Sequence, residues 1–312
     1  MKKGEKVFIT NHEDMIGSAI LRRLNKGGFA NLVTRTSSDL DLTDYDKVLD
    51  FFADEKPDYV FLTTTKAGGI IATRKYPAEF IYDNLQGQCN VIHAAWKSGV
   101  KKLLFLGSSC IYPRECAQPM KEEYILTGKL EQTCESYSIA KIAGIKMCQS
   151  YNYQYGTDFI SVVPGDNYGP NDDFNPETAH VLPALISKFH KANIRNEEKV
   201  IVLGTGSPRR ECLHVDDLAD ACLFLMDNYY DSQIINIGCG KDISIRELAF
   251  LIRDIVGFKG DIAFDESMPD GTPRKILDIS RIKMIGWEPK ISFEEGLRQT
   301  YAWYKEQVEV LN

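Results

Sequence analysis

Short strand-like runs and amphipathic helix-like stretches alternate along the first half of the chain, and no other sequence feature limits the possible folds as strongly. The strand-like runs are rich in Val, Ile, Leu and Phe and cover residues 6–10, 32–36, 58–62, 102–106 and 158–163. The helix-like stretches cover residues 15–26, 45–53 and 78–97, with a further one that includes residue 137 and ends near 155. Strands that alternate with helices form a parallel sheet with right-handed crossovers. The first half therefore predicts an α/β fold.

The alternation is looser after Pro164. The later segments predict strands at 200–204 and 234–237 and helices at 179–191, 214–225, 243–256 and about 293–305. We therefore expect a Rossmann-type parallel sheet with helices on both faces in residues 1–168, to which segments around 211–240 return. Most of residues 169–312 would then form a smaller C-terminal substrate domain.

Charge and composition exclude several functional classes. The chain has 312 residues, a formal net charge of −7 and no basic stripe, so nucleic acid is not an expected partner. No apolar run reaches the roughly 18 residues that predict a membrane span, and residues 1–6 do not lead into a secretory signal. The eight cysteines include no Cys-x-x-Cys pair, so neither a metal site nor a disulfide framework is predicted. We expect a cytoplasmic protein with reduced thiols.

A tyrosine and a lysine on the fourth predicted helix form the first candidate catalytic pair. Tyr137 and Lys141 are four residues apart and therefore share one helix face. An ammonium beside a phenol favours the phenolate, and such a tyrosine can act as a general acid or base toward a carbonyl or an alcohol. The same spacing also occurs by chance on surface helices, so the pair needs further support.

That support comes from a serine at the end of the fourth predicted strand. Ser108 follows the apolar run 102–106 after a single glycine, Gly107. Open α/β sheets bind their ligands at the carboxyl ends of the strands. A hydroxyl at this position is therefore expected to face the ligand together with Tyr137.

These residues resemble the extended short-chain dehydrogenase/reductases, in which a serine after the fourth strand accompanies Tyr-x-x-x-Lys on the next long helix. A closer resemblance is to the GDP-L-fucose synthases. It is carried by residues 66–70, 104–113, 180–186, 208–211 and 269–275, and it extends from about residue 6 to 305. These strings are long enough to be specific.

The resemblance implies a bifunctional enzyme that epimerises C3 and C5 of GDP-4-keto-6-deoxy-mannose and then reduces the C4 ketone with NADPH. Ser108 and Tyr137 would hydrogen-bond the C4 oxygen, Tyr137 would deliver a proton, and Lys141 would lower the pKa of Tyr137. Cys110 and His180 would be the base and the acid of the epimerisation. These residue types suit the chemistry, because a C–H beside a ketone is acidified when donors hold the ketone oxygen.

The same resemblance implies residues that bind substrate and cofactor. Lys188 and Arg210 would meet the diphosphate as cations, Asp270 would face the far end of the substrate, and Ser109 and Asp166 would also contact it. The cofactor-binding residues would be Asn11, Asp14, Met15, Ile16, Gly17, Gly107, Lys141 and Pro164. The family also implies a homodimer in which two long helices of each subunit pair across a two-fold axis.

The first strand–helix turn departs from the family pattern Gly-x-x-Gly-x-x-Gly, because only the third glycine, Gly17, is present. Asn11 can partly replace the first glycine, since Asn tolerates left-handed φ. Asp14 stands where the dinucleotide phosphates would rest on the helix N-terminus, and its carboxylate can cap the same amides. Two like charges about 5 Å apart at an effective dielectric near 20 repel by roughly 3 kcal/mol, which is about a hundredfold in affinity. NADP(H) is therefore expected to bind weakly or not at all.

Further departures affect the rest of the nucleotide groove. Glu13 and Ser37 stand where the family has arginines near the adenosine 2′-phosphate, although Arg35 is close in sequence. Asp166 replaces an asparagine near the substrate diphosphate, and Leu203 replaces a tryptophan of the nucleotide pocket. The choice between NAD and NADP stays open, as does the choice among a hexose, a dideoxyhexose and a heptose.

Three interpretations of the sequence follow. The first is an epimerase/reductase whose turn still binds the nicotinamide cofactor. The second is an epimerase that keeps Cys110 and His180 without hydride transfer, because removing a proton beside a ketone needs no nicotinamide. The third is a non-catalytic sugar-nucleotide-binding homologue. All five catalytic residue types are retained, which argues against the third.

Overall fold

The computed structural model describes residues 1–63, 66–175, 178–268 and 270–310. Its main feature is a six-stranded sheet in the order β2-β1-β3-β4-β5-β9, in which every pair of neighbouring strands is parallel. These strands are β1 (Val7–Ile9), β2 (Leu32–Thr34), β3 (Tyr59–Leu62), β4 (Lys102–Leu106), β5 (Phe159–Pro164) and β9 (Ile235–Ile237). The predicted Rossmann-type sheet is confirmed.

Shorter strands lie outside this sheet. Strands β6 (Asp166–Tyr168), β10 (Asp242–Ser244) and β12 (Arg274–Lys275) pair with β8 (Arg209–His214), and β7 (Lys199–Leu203) pairs with β11 (Asp261–Asp265). Of these, only β7 was predicted with bounds, at 200–204, which is one residue later than observed. Strands β6, β10 and β12 have only two or three residues, which is too short a run to show periodicity, and pairing with the distant β8 stabilises them here.

The helices are α1 (Met15–Lys26), α2 (Tyr45–Glu55), α3 (Ile70–Lys75), α4 (Pro77–Lys97), α5 (Glu135–Tyr155), α6 (Val181–Ile194), α7 (Val215–Asn228), α8 (Ile245–Val256), α9 (Ser280–Met284) and α10 (Phe293–Val310). Helix α6 begins two residues later than predicted, because His180 is its N-cap with extended backbone. None of the helices in the described part of the chain is long and apolar enough to cross a membrane.

The order of the sheet reverses between β1 and β3, because the chain leaves β1 toward β2 on one side and returns to β3 on the other. Two threonines join the carboxyl ends of these strands. The Thr63 amide donates to Thr10 Oγ1 at 2.9 Å, and the Thr63 hydroxyl donates to the Thr10 carbonyl at 2.9 Å. Ligands of open α/β sheets bind in the crevice at such a reversal. The fold thus directs attention to the edge where β1, β3 and β4 end.

The buried apolar side chains form two clusters. The first covers both faces of the six-stranded sheet and includes Phe8, Phe61, Leu104, Ile160 and Ile235; here it is called the sheet core. The second joins α6, α8, α10 and β7 and includes Phe189, Val202, Leu248, Ile252 and Leu297. It is called the second core. The residues described next lie between these clusters.

Candidate active site

A cavity of about 550 Å³ opens at the carboxyl edge of the six-stranded sheet. Most of the predicted site residues line it: Met15, Ile16, Gly107, Ser108, Ser109, Cys110, Tyr137, Pro164, Asp166, His180, Arg210 and Asp270. The fold therefore brings together residues that are up to 255 positions apart, from Met15 to Asp270. In the described part of the chain, the predicted site residues that do not line this cavity are Asn11, Asp14, Gly17, Lys141 and Lys188.

Ser108 lies just beyond β4 and begins a single 3₁₀ turn that carries the next three residues. Its backbone is extended, and its Oγ accepts a hydrogen bond from the Cys110 amide at 3.3 Å. The turn directs Ser108 and Cys110 to the same wall of the cavity. A hydroxyl and a thiol can therefore act on one ligand.

Tyr137 and Lys141 lie on the first two turns of α5, which packs closely on β4. A Cβ at Gly144 would lie 2.3 Å from the ring of Phe105, so the glycine permits this approach. As a result, Lys141 is buried and its Nζ donates to the Leu106 carbonyl at 2.9 Å. The same Nζ is 5.7 Å from the centroid of the Tyr137 ring. Burial lowers the pKa of Lys141 to about 7.

Cys110 lies among charged and polar groups rather than in an apolar pocket. Lys275 Nζ is 3.9 Å from Cys110 Sγ and 3.0 Å from Asp166 Oδ1. The pKa of Cys110 is lowered by a hydrogen bond with Cys134, and also by the Lys275 ammonium and the Ser108 hydroxyl, which together outweigh the effect of burial. A thiol in such surroundings ionises readily, and the thiolate is its basic form.

The segment that ends at His180 is held by a hydrogen bond with the loop that follows β3. The Gly69 amide donates to the Thr178 carbonyl at 3.0 Å, which fixes the chain two residues before His180. His180 is exposed and lines the cavity together with Cys110. It also lies close enough to Asp166 to help lower the pKa of that carboxyl, with Lys275 and Arg210, against the effect of burial. The cavity thus holds an imidazole and a thiol.

The turn between β1 and α1 keeps the geometry of a dinucleotide-binding turn without its first two glycines. Asn11 adopts left-handed backbone, with φ of 48°, as its sequence position predicts. A Cβ at Gly17 would lie 2.1 Å from the Asn11 carbonyl oxygen, so only glycine allows α1 to pack this closely on the turn. Asn11 also lines a separate cavity of about 80 Å³ with Arg35 and Ser37.

The prediction that the Asp14 carboxylate caps α1 is wrong. Asp14 is the N-cap residue, but its side chain makes no capping hydrogen bond in the described structure. Instead, Asn11 Nδ2 donates to Asp14 Oδ2 at 3.4 Å. Partial desolvation of the Asp14 carboxyl raises its pKa. The amides of the first turn of α1 are therefore not occupied by this side chain, whereas its negative charge remains beside them.

Of the three residues predicted to meet the diphosphate and the far end of the substrate, Arg210 and Asp270 line the cavity and Lys188 does not. Arg210 Nη1 donates to the Thr272 carbonyl at 2.7 Å. Asp270 accepts from the Thr205 amide at 3.0 Å and its hydroxyl at 2.7 Å. The Lys188 ammonium contacts the Ile201 carbonyl on β7. Contact between these three side chains and a substrate stays a prediction.

Among the cavity residues that were not predicted as site residues, Lys275 and Cys134 affect Cys110 most directly. Lys275 ends β12 and meets Cys110 only because a segment 165 positions away returns to the sheet edge. Cys134 precedes α5 and also lines the cavity. The sequence gives one weak signal for Cys134, which is its position three residues before Tyr137. For Lys275, the only signal is the string 269–275, whose first residue, Pro269, lies outside the described residues.

Comparison with known proteins agrees with this geometry. Residues 7–238 match the NAD dependent epimerase/dehydratase family. The chain is 56% identical over 308 residues, or 99% of its length and 94% of the relative, to putative GDP-L-fucose synthase 2 of Arabidopsis thaliana. It is 50% identical over 311 residues, or 97% of each protein, to GDP-L-fucose synthase of Escherichia coli (strain K12).

A solved structure is also similar to this chain over nearly its whole length. The GDP-mannoheptose C4 reductase of Campylobacter jejuni with NADP bound superposes with a TM-score of 0.89 and 41% identity, covering 98% of this chain and 99% of that one. Identity above half over nearly the whole length shows the family directly. This chain therefore belongs to the NAD dependent epimerase/dehydratase family and, within it, to the GDP-L-fucose synthases.

Proposed function

We propose that this enzyme acts on a GDP-4-keto-6-deoxy sugar, inverts C3 and C5, and then reduces the C4 ketone. The observation that carries the proposal is that Ser108, Cys110, Tyr137 and His180 line one cavity. Two hydroxyls suit a ketone oxygen, while a thiol and an imidazole suit proton exchange at the neighbouring carbons. Family membership supports the same reaction.

In the epimerisation, Cys110 and His180 transfer protons, and the hydroxyls of Ser108 and Tyr137 stabilise negative charge on the C4 oxygen. Ser108 and Tyr137 donate hydrogen bonds to the C4 oxygen and stabilise the enolate that forms when an adjacent C–H is broken. The Cys110 thiolate takes that proton on sulfur, and the C–H electron pair moves into the enolate. His180 then supplies a proton to the same carbon from the other side. No cofactor is required for these transfers.

In the reduction, Tyr137 supplies a proton to the C4 oxygen as that oxygen gains negative charge. Lys141 lies 5.7 Å from the Tyr137 ring centroid, and its charged form favours the phenolate that remains. NADPH, if held where Met15, Ile16, Gly107 and Pro164 line the cavity, would supply the hydride. This chain's residues fit the cofactor in part, because the first turn of α1 has no Asp14 cap and Gly17 allows close packing. Met15, Ile16, Gly107 and Pro164 continue the cavity toward that turn.

The charges of the turn favour weak cofactor binding. Glu13 and Asp14 place two carboxylates at the helix N-terminus, where dinucleotide phosphates bind. Arg35, the cation at the small cavity, is already paired with Glu55. We therefore propose that this chain binds NADP(H) more weakly than a relative with the full glycine turn.

Replacing Asn11 by Gly, Glu13 by Arg and Asp14 by Gly together is expected to tighten NADPH binding by about a hundredfold, because a repulsion of roughly 3 kcal/mol is removed. Isothermal titration calorimetry measures the change. Asp54→Asn is the matched control, since it removes an exposed carboxylate from α2 and leaves the turn intact. Sub-micromolar NADPH binding by the unmodified chain would contradict the proposal.

The single variant Asp14→Asn removes the charge of Asp14 and leaves the backbone of the turn unchanged, so it isolates the effect of that charge on NADPH affinity. Because the pKa of Asp14 is raised, its protonation on acidification removes the repulsion, and NADPH affinity should rise as the pH falls. The Asn variant should lose that part of the pH dependence. The same pH dependence in both proteins would assign it to another group.

The reaction itself is tested by proton NMR of GDP-4-keto-6-deoxy-mannose with the enzyme in deuterated water. Without NADPH, deuterium is expected to enter C3 and C5. With NADPH, a new signal should appear from the proton that the hydride places on C4 of the alcohol. Exchange without reduction at saturating NADPH would support an epimerase alone, and the absence of both would remove the proposal.

Further parts of the proposal concern the rest of the molecule. We propose that the second core, with most of residues 169–312, covers the substrate, because His180, Arg210 and Asp270 reach the cavity from it. Helices α4 and α5 lie side by side and expose Tyr82 and Tyr153, a surface suited to pairing with a second copy. We also propose a cytoplasmic location, where thiols such as the eight free cysteines of this chain stay reduced.

A further inference from the structure

The strand β12 brings a cation to the wall of the cavity that carries Cys110. Lys275 Nζ is 3.0 Å from Asp166 Oδ1 and 3.9 Å from Cys110 Sγ. The carboxylate belongs to β6 and is joined to the lysine across the short strands that pair with β8. Asp166 therefore fixes the ammonium at a position from which it faces the sulfur.

A second thiol approaches Cys110 from the start of α5. The hydroxyl of Ser138 lies 3.0 Å from the Cys134 carbonyl oxygen and 3.7 Å from Cys134 Sγ. Cys134 Sγ is also 3.7 Å from the Glu131 carbonyl oxygen. These contacts hold Cys134 in place at the cavity that Cys110 also lines, and its thiol is among the groups that lower the pKa of Cys110.

The charged and titratable groups around Cys110 have opposite effects on its pKa. Cys134, Lys275 and Ser108 favour the thiolate, whereas burial and the Asp166 carboxylate oppose it. Burial by itself would lower the pKa of Lys275, but Asp166 and Cys110 raise it above the ordinary value, so the ammonium stays charged. The pKa of Cys134 is raised, first by Cys110 and then by burial, so Cys134 stays a thiol donor.

We propose that Lys275, oriented by Asp166, and Cys134 are positioning residues that hold Cys110 as a thiolate. The proposal rests on the proposed function, in which Cys110 takes a proton from the sugar. A neutral thiol has no lone pair basic enough for that step. After the transfer, Cys110 is a thiol, and the proton must leave before the next turnover; the same two residues favour its departure.

The protonation of Cys110 can be measured without any sugar substrate. Iodoacetamide is uncharged and reacts with thiolates, so its rate reports ionisation without being steered by lysine. Peptide-resolved mass spectrometry across pH 5–10 gives separate rates for each cysteine. We expect Cys110 to react with a midpoint below that of Cys89, whose pKa is raised by burial.

Lys275→Met removes the charge and keeps the length of the side chain. The midpoint for Cys110 should move to higher pH, and its alkylation at pH 7 should slow by about tenfold or more, as expected when an opposite charge is lost. Lys275→Arg should restore most of the rate. Lys259→Met, an exposed lysine away from the cavity, is the control. An unchanged midpoint in Lys275→Met would overturn the role of Lys275.

Cys134 is tested by two variants of similar size. Cys134→Ala removes the hydrogen-bond donor and should raise the Cys110 midpoint, whereas Cys134→Ser keeps a donor and should reverse part of that shift. Equal midpoints in the two variants would overturn the role of Cys134. Unchanged rates at Cys89 show that each variant is folded.

Activity assays distinguish a failure of this inference from a failure of the proposed function. In the deuterium-exchange assay, Lys275→Met should lower kcat at pH 7 with little change in KM, and part of the loss should be recovered at higher pH. A merely structural role predicts a loss that is independent of pH. If Cys110 ionises at low pH and responds to Lys275 but no exchange occurs, the proposed function fails and the thiolate assignment stands. If exchange occurs and Lys275→Met leaves ionisation unchanged, the inference alone fails.

Discussion

Replacing Tyr137 by phenylalanine is expected to slow NADPH-dependent ketone reduction by about 10²- to 10⁴-fold, the usual contribution of a general acid. The variant keeps the ring that packs against Phe80 with centroids 6.3 Å apart, so only the hydroxyl is lost. Deuterium exchange should fall much less, by about tenfold, because Ser108 still holds the ketone oxygen. Single-turnover reduction and NMR exchange measure the two effects.

Cys110→Ser is expected to produce the opposite pattern. A serine hydroxyl at this position is far less acidic than the thiol, so exchange at C3 and C5 should fall by about 10²- to 10⁴-fold. Reduction of a ketone that is already epimerised should continue. Cys89→Ser, a half-buried thiol on α4 outside the cavity, is the matched control. Equal losses of both activities in each variant would show that the two reactions do not use separate groups.

Lys141→Met is expected to stabilise the folded protein below pH 7 while lowering reductase activity. Burial lowers the pKa of Lys141 to about 7, whereas an unfolded chain has the ordinary lysine pKa near 10.4. Between these values the unfolded state binds more protons, so the stability contributed by Lys141 rises with pH across about pH 7–10. Below pH 7 the fold must bury the charge, which costs roughly 5 kcal/mol.

The net gain at pH 6 should be roughly 2 kcal/mol, because the hydrogen bond from Lys141 to the Leu106 carbonyl is lost at the same time. The gain should disappear toward pH 10. Urea denaturation at pH 6 and 9.5 in reducing buffer measures the free energy of unfolding. Lys146→Met, an exposed lysine on the same helix, should show neither effect. A gain of the same size at both pH values would contradict the account.

The accuracy of the predictions made from sequence differs between the two halves of the chain. Parallel strands buried on both faces are continuous apolar runs, so the five main strands and α1, α4 and α5 were recognised with small errors at their ends. The short strands β6, β10 and β12 were missed, because their stability comes from pairing with β8. The N-cap geometry of Asp14 was also missed, since the choice between capping and pairing with Asn11 depends on side-chain rotation.

By itself, the sequence determined the alternating order of strands and helices, and with it the parallel sheet. It also predicted which residues could carry the chemistry, because Ser108 and Cys110 follow β4 and Tyr137 lies in the first turn of α5. Only the tertiary structure decided what surrounds them. Lys275 and Asp166 reach Cys110 through strand pairings between distant segments, and Lys141 is buried because α5 packs closely on Phe105. Ionisation depends on burial and neighbouring charge, which are properties of the folded chain.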